Sequence, residues 1–170
     1  VTPFKENGDV DYQALKRHTN YLIDKRVDYL VVLGTTAETP ALSHQEKLNA
    51  IGVVKHEAAG RVPLVIGAGG NNTSDVIRWI EEVGSDGIDA YLSVVPYYNK
   101  PSQTGMISHF SAIAATTDVP LVLYNVPGRT GSNMQADTTI TLAQELGDQL
   151  IGIKEASGDL AQISQIIREK

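Results

Sequence analysis

The sequence predicts an α/β protein built on parallel strands, and three observations carry that expectation. Short apolar, β-branched-rich runs at 28–34, 62–67, 90–95, 120–126 and 150–156 alternate with single stretches of helical periodicity. Strands separated by single helices imply parallel βαβ units with right-handed crossovers. Polar groups able to do chemistry stand at the ends of several of these runs, at Thr35-Thr36, Tyr97-Tyr98, Tyr124 and Lys154. Composition agrees: 42% apolar, 20% charged, 15 glycines and few aromatics outside tyrosine fit an ordinary α/β domain and argue against an all-β sandwich.

The elements follow in order. Val1-Thr2-Pro3-Phe4 reads as the tail of a strand, and Glu6-Asn7-Gly8-Asp9 as a turn into a helix over 11–25. There Ala14, Leu15, His18, Tyr21 and Leu22 are spaced to share one face. The run at 28–34 is apolar on both faces and should be fully buried. After a loop over 35–42, Ser43-His44-Gln45-Glu46 has the form of a capping box and opens a helix to about Ala58. A third strand at 62–67 leads to a helix beginning at Thr73-Ser74-Asp75, with Val76, Ile77, Trp79 and Ile80 turned inward or nearly so. The strand at 90–95 is followed by a helix from about Gln103 to Thr116. The strand at 120–126, a helix over 137–146, the strand at 150–156 and a last helix after Gly158-Asp159 complete the chain.

Two architectures accommodate this order. A doubly wound open sheet needs about five or six strands, and a (β/α)8 barrel needs eight strands and typically about 250 residues, so 170 residues favour the open sheet. Against that, an open sheet concentrates its site at one switch point, whereas here the polar residues are spread over four strand ends, as in a closed barrel. With no long charged or low-complexity run to mark a boundary, residues 1–170 read as a single domain. The run at its start and the helix at its end suggest a portion of a longer chain.

Several functional classes are disfavoured. A net charge of −6 without a basic cluster disfavours nucleic acid as a partner. Zero cysteines exclude disulfides, thiolate metal sites and a cysteine nucleophile, and are compatible with a cytoplasmic location. No apolar run approaches the roughly 20 residues of a membrane span. His18, His44, His56 and His109 lack metal-ligand spacing and read as surface or groove histidines on helices. Gly67-Ala68-Gly69-Gly70-Asn71-Asn72 lacks the third glycine of a dinucleotide fingerprint, so a tight βα turn is its plainer reading. No Gly-x-Ser-x-Gly elbow is present.

Lys154 is the residue with the most chemistry. A lysine ending the strand Ile151-Gly152-Ile153 would have its stem in a barrel interior, where desolvation favours a neutral, nucleophilic amine. Such an amine forms a Schiff base with a carbonyl substrate and turns the neighbouring carbon into a carbon acid. The alternative is a structural ion pair with Glu155 or another carboxylate.

Four segments, Gly34-Thr35-Thr36-Ala37-Glu38, Pro96-Tyr97-Tyr98-Asn99-Lys100-Pro101, Tyr124-Asn125-Val126-Pro127-Gly128-Arg129-Thr130-Gly131 and Ile151-Gly152-Ile153-Lys154-Glu155-Ala156, occur in this order. Together they resemble the signature segments of the dihydrodipicolinate synthases (4-hydroxy-tetrahydrodipicolinate synthases), which are class I pyruvate-dependent aldolases and lyases. The resemblance runs over essentially the whole chain. It implies a (β/α)8 TIM barrel of which this chain covers about the end of strand 1 through helix 6. It also implies condensation of pyruvate with L-aspartate 4-semialdehyde in lysine and diaminopimelate biosynthesis. By the same resemblance there is no cofactor beyond the covalent pyruvate Schiff base, no metal, and a cytoplasmic homotetramer arranged as a dimer of dimers.

Residue by residue, Lys154 matches the Schiff-base lysine and Tyr124 the tyrosine that moves protons. Thr35 matches a hydroxyl relay from Tyr124 to a tyrosine of the neighbouring subunit, to which Tyr98 corresponds. Thr36 matches the residue that binds the pyruvate carboxylate, and Arg129 the arginine at the site entrance, whose planar fork suits a second carboxylate. His44, Asn71, Asp75 and Tyr97 roughly match a feedback pocket for lysine; Lys47 beside His44 would repel a cationic effector, which predicts weak or absent inhibition. N-acetylneuraminate lyases and 2-keto-3-deoxy sugar acid aldolases share the lysine and tyrosine, but Thr35-Thr36 with Arg129-Thr130-Gly131 favours the synthase. From another class stands a non-catalytic fragment or interaction module.

Two departures from the pattern matter. Ala37 stands where the family usually has glycine, which is harmless if the backbone there keeps φ negative. Strands seven and eight and the start of strand one lie outside these residues. The unpaired edges and apolar inner face left behind predict that the 170 residues alone are not a stable, active enzyme.

Overall fold

The computed structural model describes residues 1–169 and divides them into two compact units, residues 1–67 with Asp86–Asp89, and Ala68–Ser85 with residues 90–169.

In the first unit, α1 (Tyr12–Asp24) is capped by Asp11, whose carboxylate accepts from Ala14 N. Strand β1 (Leu30–Val32), α2 (His44–Ala58) and β2 (Leu64–Gly67) follow, and β1 and β2 pair in parallel. The capping box at α2 is formed as expected: Ser43 accepts from Glu46 N and the Glu46 side chain accepts from Ser43 N. Ala50, Ile51, Val54 and Ala58 of α2 are buried, as are Leu64, Val65 and Ile66 of β2.

Three expectations are corrected here. On β1, Val31 is 43% exposed, because the described residues cover only the face carrying Leu30 and Val32. On α1, Tyr21 is exposed and stacks on His18, while Thr19 is buried through a hydrogen bond from its hydroxyl to Leu15 O, so the inner face is rotated from the one the apolar spacing suggested. Phe4, read as the tail of a strand, forms an isolated antiparallel bridge with Val10.

In the second unit, α3 (Thr73–Val83), β3 (Ala90–Val94), α4 (Gln103–Ala114), β4 (Leu121–Asn125), α5 (Pro127–Thr130), α6 (Ala136–Leu146), β5 (Leu150–Glu155) and α7 (Leu160–Arg168) succeed one another. Strands β3, β4 and β5 are parallel neighbours in that order. One strand face packs on helices: Tyr91, Ser93, Leu121, Leu123 and Asn125 are fully buried there, with Phe110, Met106 and Ile113 of α4 and Leu142 of α6 also fully buried. Each such large apolar side chain contributes roughly 1.5–3 kcal/mol by burial. The opposite face carries Val94, Tyr124 and Lys154, which stand in register across the three strands.

The glycine-rich turn after β2 is a packing device. A Cβ on Gly67 would lie 2.0 Å from Leu33 O, and one on Gly69 would lie 2.8 Å from Val94 N. Side chains are excluded there by close backbone approach, which accounts for these glycines without a nucleotide. Helix α5 has no counterpart among the expected elements; at four residues it is too short to show a period. No helix of the described residues is long and apolar enough to cross a membrane. Parallel strands joined through helices give an α/β architecture of βαβ units.

Candidate active site

Strands β4 and β5 end beside each other with Tyr124 directly opposite Lys154. The Lys154 Nζ lies over the Tyr124 ring, 4.2 Å from its centroid. An ammonium or iminium at that distance is attracted to the negative face of the ring. The arrangement separates Lys154 from Glu155, since neighbouring strand residues point to opposite faces. The Glu155 carboxylate accepts from Asn125 Nδ2 at 2.9 Å, Gln162 Nε2 at 3.0 Å and Ser157 N at 2.7 Å. Burial pushes the Glu155 carboxyl up, but the donors Asn125, Ser157 and Gln162 outweigh burial and hold it below the usual carboxylate range. The alternative reading of Lys154 and Glu155 as an ion pair is therefore not what the geometry shows.

The expected desolvation of Lys154 is corrected. The side chain is exposed, because β5 pairs with β4 on one side and no described element covers the amine. Tyr124 beneath it is only 6% exposed.

Arg129 is exposed on α5, whose turn is locked by Thr130. The buried Thr130 hydroxyl donates to Ser132 O at 2.8 Å and accepts from Ser132 N at 3.2 Å. Next to it, Lys100 lays its stem against Gly131, where a Cβ would come within 3.1 Å of Lys100 Cε. Lys100 thereby brings a cationic head beside the Arg129 turn, signalled in the sequence only by its place in the Pro96–Pro101 segment.

Tyr98 is 88% exposed and holds φ 70, a left-handed conformation uncommon for an aromatic residue. Its loop is pinned by Asn99, whose Nδ2 donates to Asn71 O at 3.0 Å. Lys100 also has positive φ, at 46. Strained backbone of this kind concentrates at binding and catalytic segments.

In the first unit, Thr35 and Thr36 are exposed on a 3-10 turn, Thr35–Ala37, that follows β1 directly. Leu33, buried before it, has φ 60, and Glu38 after it has φ 55. Ala37 itself is buried in the turn outside the left-handed region, and its carbonyl accepts from the Thr2 hydroxyl at 2.7 Å. Alanine is accordingly accommodated there without backbone strain.

Of the proposed regulatory residues, His44 opens α2 in the first unit, while Asn71, Asp75 and Tyr97 lie in the second. The Asp75 carboxylate is paired with Arg78, and Tyr97 is 40% exposed. His109 is corrected from a surface or groove residue to a buried one, 5% exposed, with Nδ1 2.8 Å from Thr73 Oγ1 and its ring edge-on to Phe110.

Sequence reasoning missed a polar cluster behind the strand ends. Asn125, fully buried, donates through Nδ2 to Asn133 Oδ1 at 2.8 Å as well as to Glu155, and accepts from Met134 N at 3.0 Å. Gln162 of α7 accepts from Asn133 Nδ2 and donates to Met134 O. Gln103 of α4 clamps the same loop, accepting from Gln135 N and Thr138 Oγ1. No group of three or more histidines and carboxylates with metal-holding geometry occurs among the described residues.

Comparison with known proteins agrees with this arrangement. The model of the dihydrodipicolinate synthetase family matches residues 1–170. The 4-hydroxy-tetrahydrodipicolinate synthase of Parabacteroides distasonis is 54% identical over 170 residues, covering 100% of this chain and 57% of its own length. The chain thus spans a little over half of that relative. Among solved structures, the synthase of Cyanidioschyzon merolae with lysine bound is 43% identical with a TM-score of 0.95, over 100% of this chain and 58% of that one. A monomeric dihydrodipicolinate synthase variant is 37% identical with a TM-score of 0.94, over 99% of this chain and 55% of the other. Matched along its full length in sequence and in fold, the chain belongs to the dihydrodipicolinate synthetase family.

Proposed function

We propose that the protein containing this chain condenses pyruvate with L-aspartate 4-semialdehyde to 4-hydroxy-tetrahydrodipicolinate through a Schiff base on Lys154. The observation that carries the reading is the Lys154 amine held 4.2 Å over the Tyr124 ring at adjacent strand ends. The amine attacks C2 of pyruvate and water leaves, giving an iminium whose charge faces the aromatic ring. Loss of a methyl proton makes the enamine, and its carbon attacks the aldehyde, whose oxygen becomes the 4-hydroxyl. The amino group of the second substrate then adds to the imine carbon, closing the ring and releasing Lys154.

Tyr124 is the proton carrier in this scheme. Thr35 relays its proton toward Tyr98 of a neighbouring subunit, Thr36 holds the pyruvate carboxylate, and Arg129 receives the carboxylate of the semialdehyde. The exposure of Thr35, Thr36, Tyr98 and Arg129 leaves each available for these contacts. The exposed Tyr98, on a loop pinned by Asn99, supports a homo-oligomer, a dimer of dimers, that this side chain enters. Lysine is a weak effector in this reading, because Arg78 already occupies the Asp75 carboxylate and Lys47 stands near His44.

The test is to treat the intact protein with pyruvate and borohydride and weigh it. A reduced pyruvyl adduct located on Lys154 is expected, and its absence sinks the reading. Turnover should follow with L-aspartate 4-semialdehyde and not with N-acetylneuraminate, and added L-lysine should change the rate little. Turnover of N-acetylneuraminate alone would transfer the chain to the sialate lyases.

A further inference from the structure

Strand β5 is irregular just before Lys154. Leu121 pairs with Leu150, but Val122 pairs with Gly152, so Ile151 is an extra residue bulged out of the ladder, 58% exposed. Side chains alternate along a strand, so one extra residue exchanges the faces of everything beyond it. Counting on from the Leu121–Leu150 pair without the bulge, Ile153 would stand opposite Tyr124, and Lys154 would stand opposite Asn125 on the helix-covered face. With the bulge, Lys154 stands opposite Tyr124 and Glu155 opposite Asn125. Both registers set a short apolar run of β5 against β4, so apolar pattern discriminates weakly between them.

The polar groups on the other face discriminate strongly. Asn125 Nδ2 donates to the Glu155 carboxylate across the two strands at 2.9 Å, and Gln162 Nε2 reaches the same carboxylate from α7 at 3.0 Å. Ala156 N continues the ladder to Asn125 O at 2.8 Å. In the slipped register Glu155 would face away from both amides, and the fully buried Asn125 would lose its carboxylate partner. We propose that the Asn125–Glu155 hydrogen bond, backed by Gln162, is a register lock that holds the bulged strand in the one pairing that presents Lys154 to Tyr124. Glu155 and Asn125 are then positioning residues, acting from the face opposite the amine. The inference rests on the reading of Lys154 as the Schiff-base lysine.

The experiment measures the rate of pyruvate–borohydride trapping per folded molecule of the intact protein. Glu155→Leu should slow trapping on the order of 100-fold, as a misplaced reacting group does. Glu155→Gln, which keeps an acceptor oxygen for Asn125 and Gln162, should restore most of the rate. Asn125→Leu should resemble Glu155→Leu, and the double variant should be no slower than either single one, because both remove the same lock. A purely structural role would lower the unfolding midpoint of these variants and leave trapping by folded molecules at the parent rate; that result overturns the proposal. Should the leucine variants fail to fold, Asn125→Asp sets a second carboxylate against Glu155 at unchanged volume. Its trapping rate relative to the parent should then rise as the pH falls and one of the pair takes up a proton, and a ratio independent of pH would overturn the lock. A parent that traps no pyruvate removes the functional reading and the lock with it. A trapping parent whose variants trap equally well removes only the lock.

Discussion

Burial of His109 makes folding pH-dependent in a calculable direction. Removed from water between α3 and α4, its imidazole is brought down to about 4 by burial. In the unfolded chain the same group takes up a proton near its ordinary value of about 6.5. Between those values the unfolded state binds more protons, so stability is fully present above about 6.5 and is lost as the pH falls toward 4. The loss amounts to about 2 kcal/mol once screening by nearby water is allowed for. His109→Gln, neutral throughout, should therefore show a stability deficit at pH 7 that narrows by about that amount at pH 4 in denaturant unfolding. A deficit constant over that range would show that His109 does not titrate in the folded state as its burial requires. At this scale the strand-end placement of Tyr124 and Lys154 was legible in the sequence, since both end apolar runs where polar side chains are conspicuous. Asn125, Asn133 and Gln162 were not, because amides from three separate segments carry no period and no charge to betray that they meet. His109 failed for a related reason: on a helix, only the packing partner decides whether a histidine faces water.

Elements were read best where their ends are marked by side-chain chemistry. Ser43 and Glu46 announced α2 because a capping box needs those two residues at that spacing, and both bonds are formed. The bulge at Ile151 left no such mark: Ile-Gly-Ile reads as one apolar run in either register, and only the partner strand reveals the extra residue. Tyr91 is a second feature hidden in an apolar run. It is fully buried, its hydroxyl donates to Gly84 O at the end of α3, and burial pushes the phenol up to about 12. That bond ties β3 to the last turn of α3, where carbonyls lack partners within the helix. Tyr91→Phe should thus cost about 1 kcal/mol in denaturant unfolding, with little change in pyruvate trapping. An unchanged midpoint would mean that water replaces the hydroxyl at Gly84.

For the whole molecule, the alternation of strands and helices established the α/β class, but periodicity alone left open sheet and barrel undecided, since both repeat the same βαβ unit. The spread of polar groups over several strand ends pointed to the barrel, and the match in fold to the synthases agrees. Oligomeric assembly was the least legible level, because nothing in a strand or helix pattern tells whether an exposed tyrosine meets a partner subunit or water. Tyr98 illustrates this. At 88% exposure with φ 70, it is held outward by a conformation that costs free energy, on a loop pinned through Asn99 to Asn71. If that cost serves a proton relay across an interface, the hydroxyl and the ring have separable roles. Tyr98→Phe keeps the ring and should leave the assembled mass in solution unchanged while lowering turnover by at least about tenfold, the low end for a lost proton-transfer group. Tyr98→Arg removes the ring as well and should reduce both the assembled mass and turnover. Pyruvate trapping on Lys154, which precedes the later proton transfers, should suffer less than turnover in the phenylalanine variant. If Tyr98→Phe turns over at the parent rate, the hydroxyl has no place in the proposed relay, and any role of the strained loop rests on the ring alone.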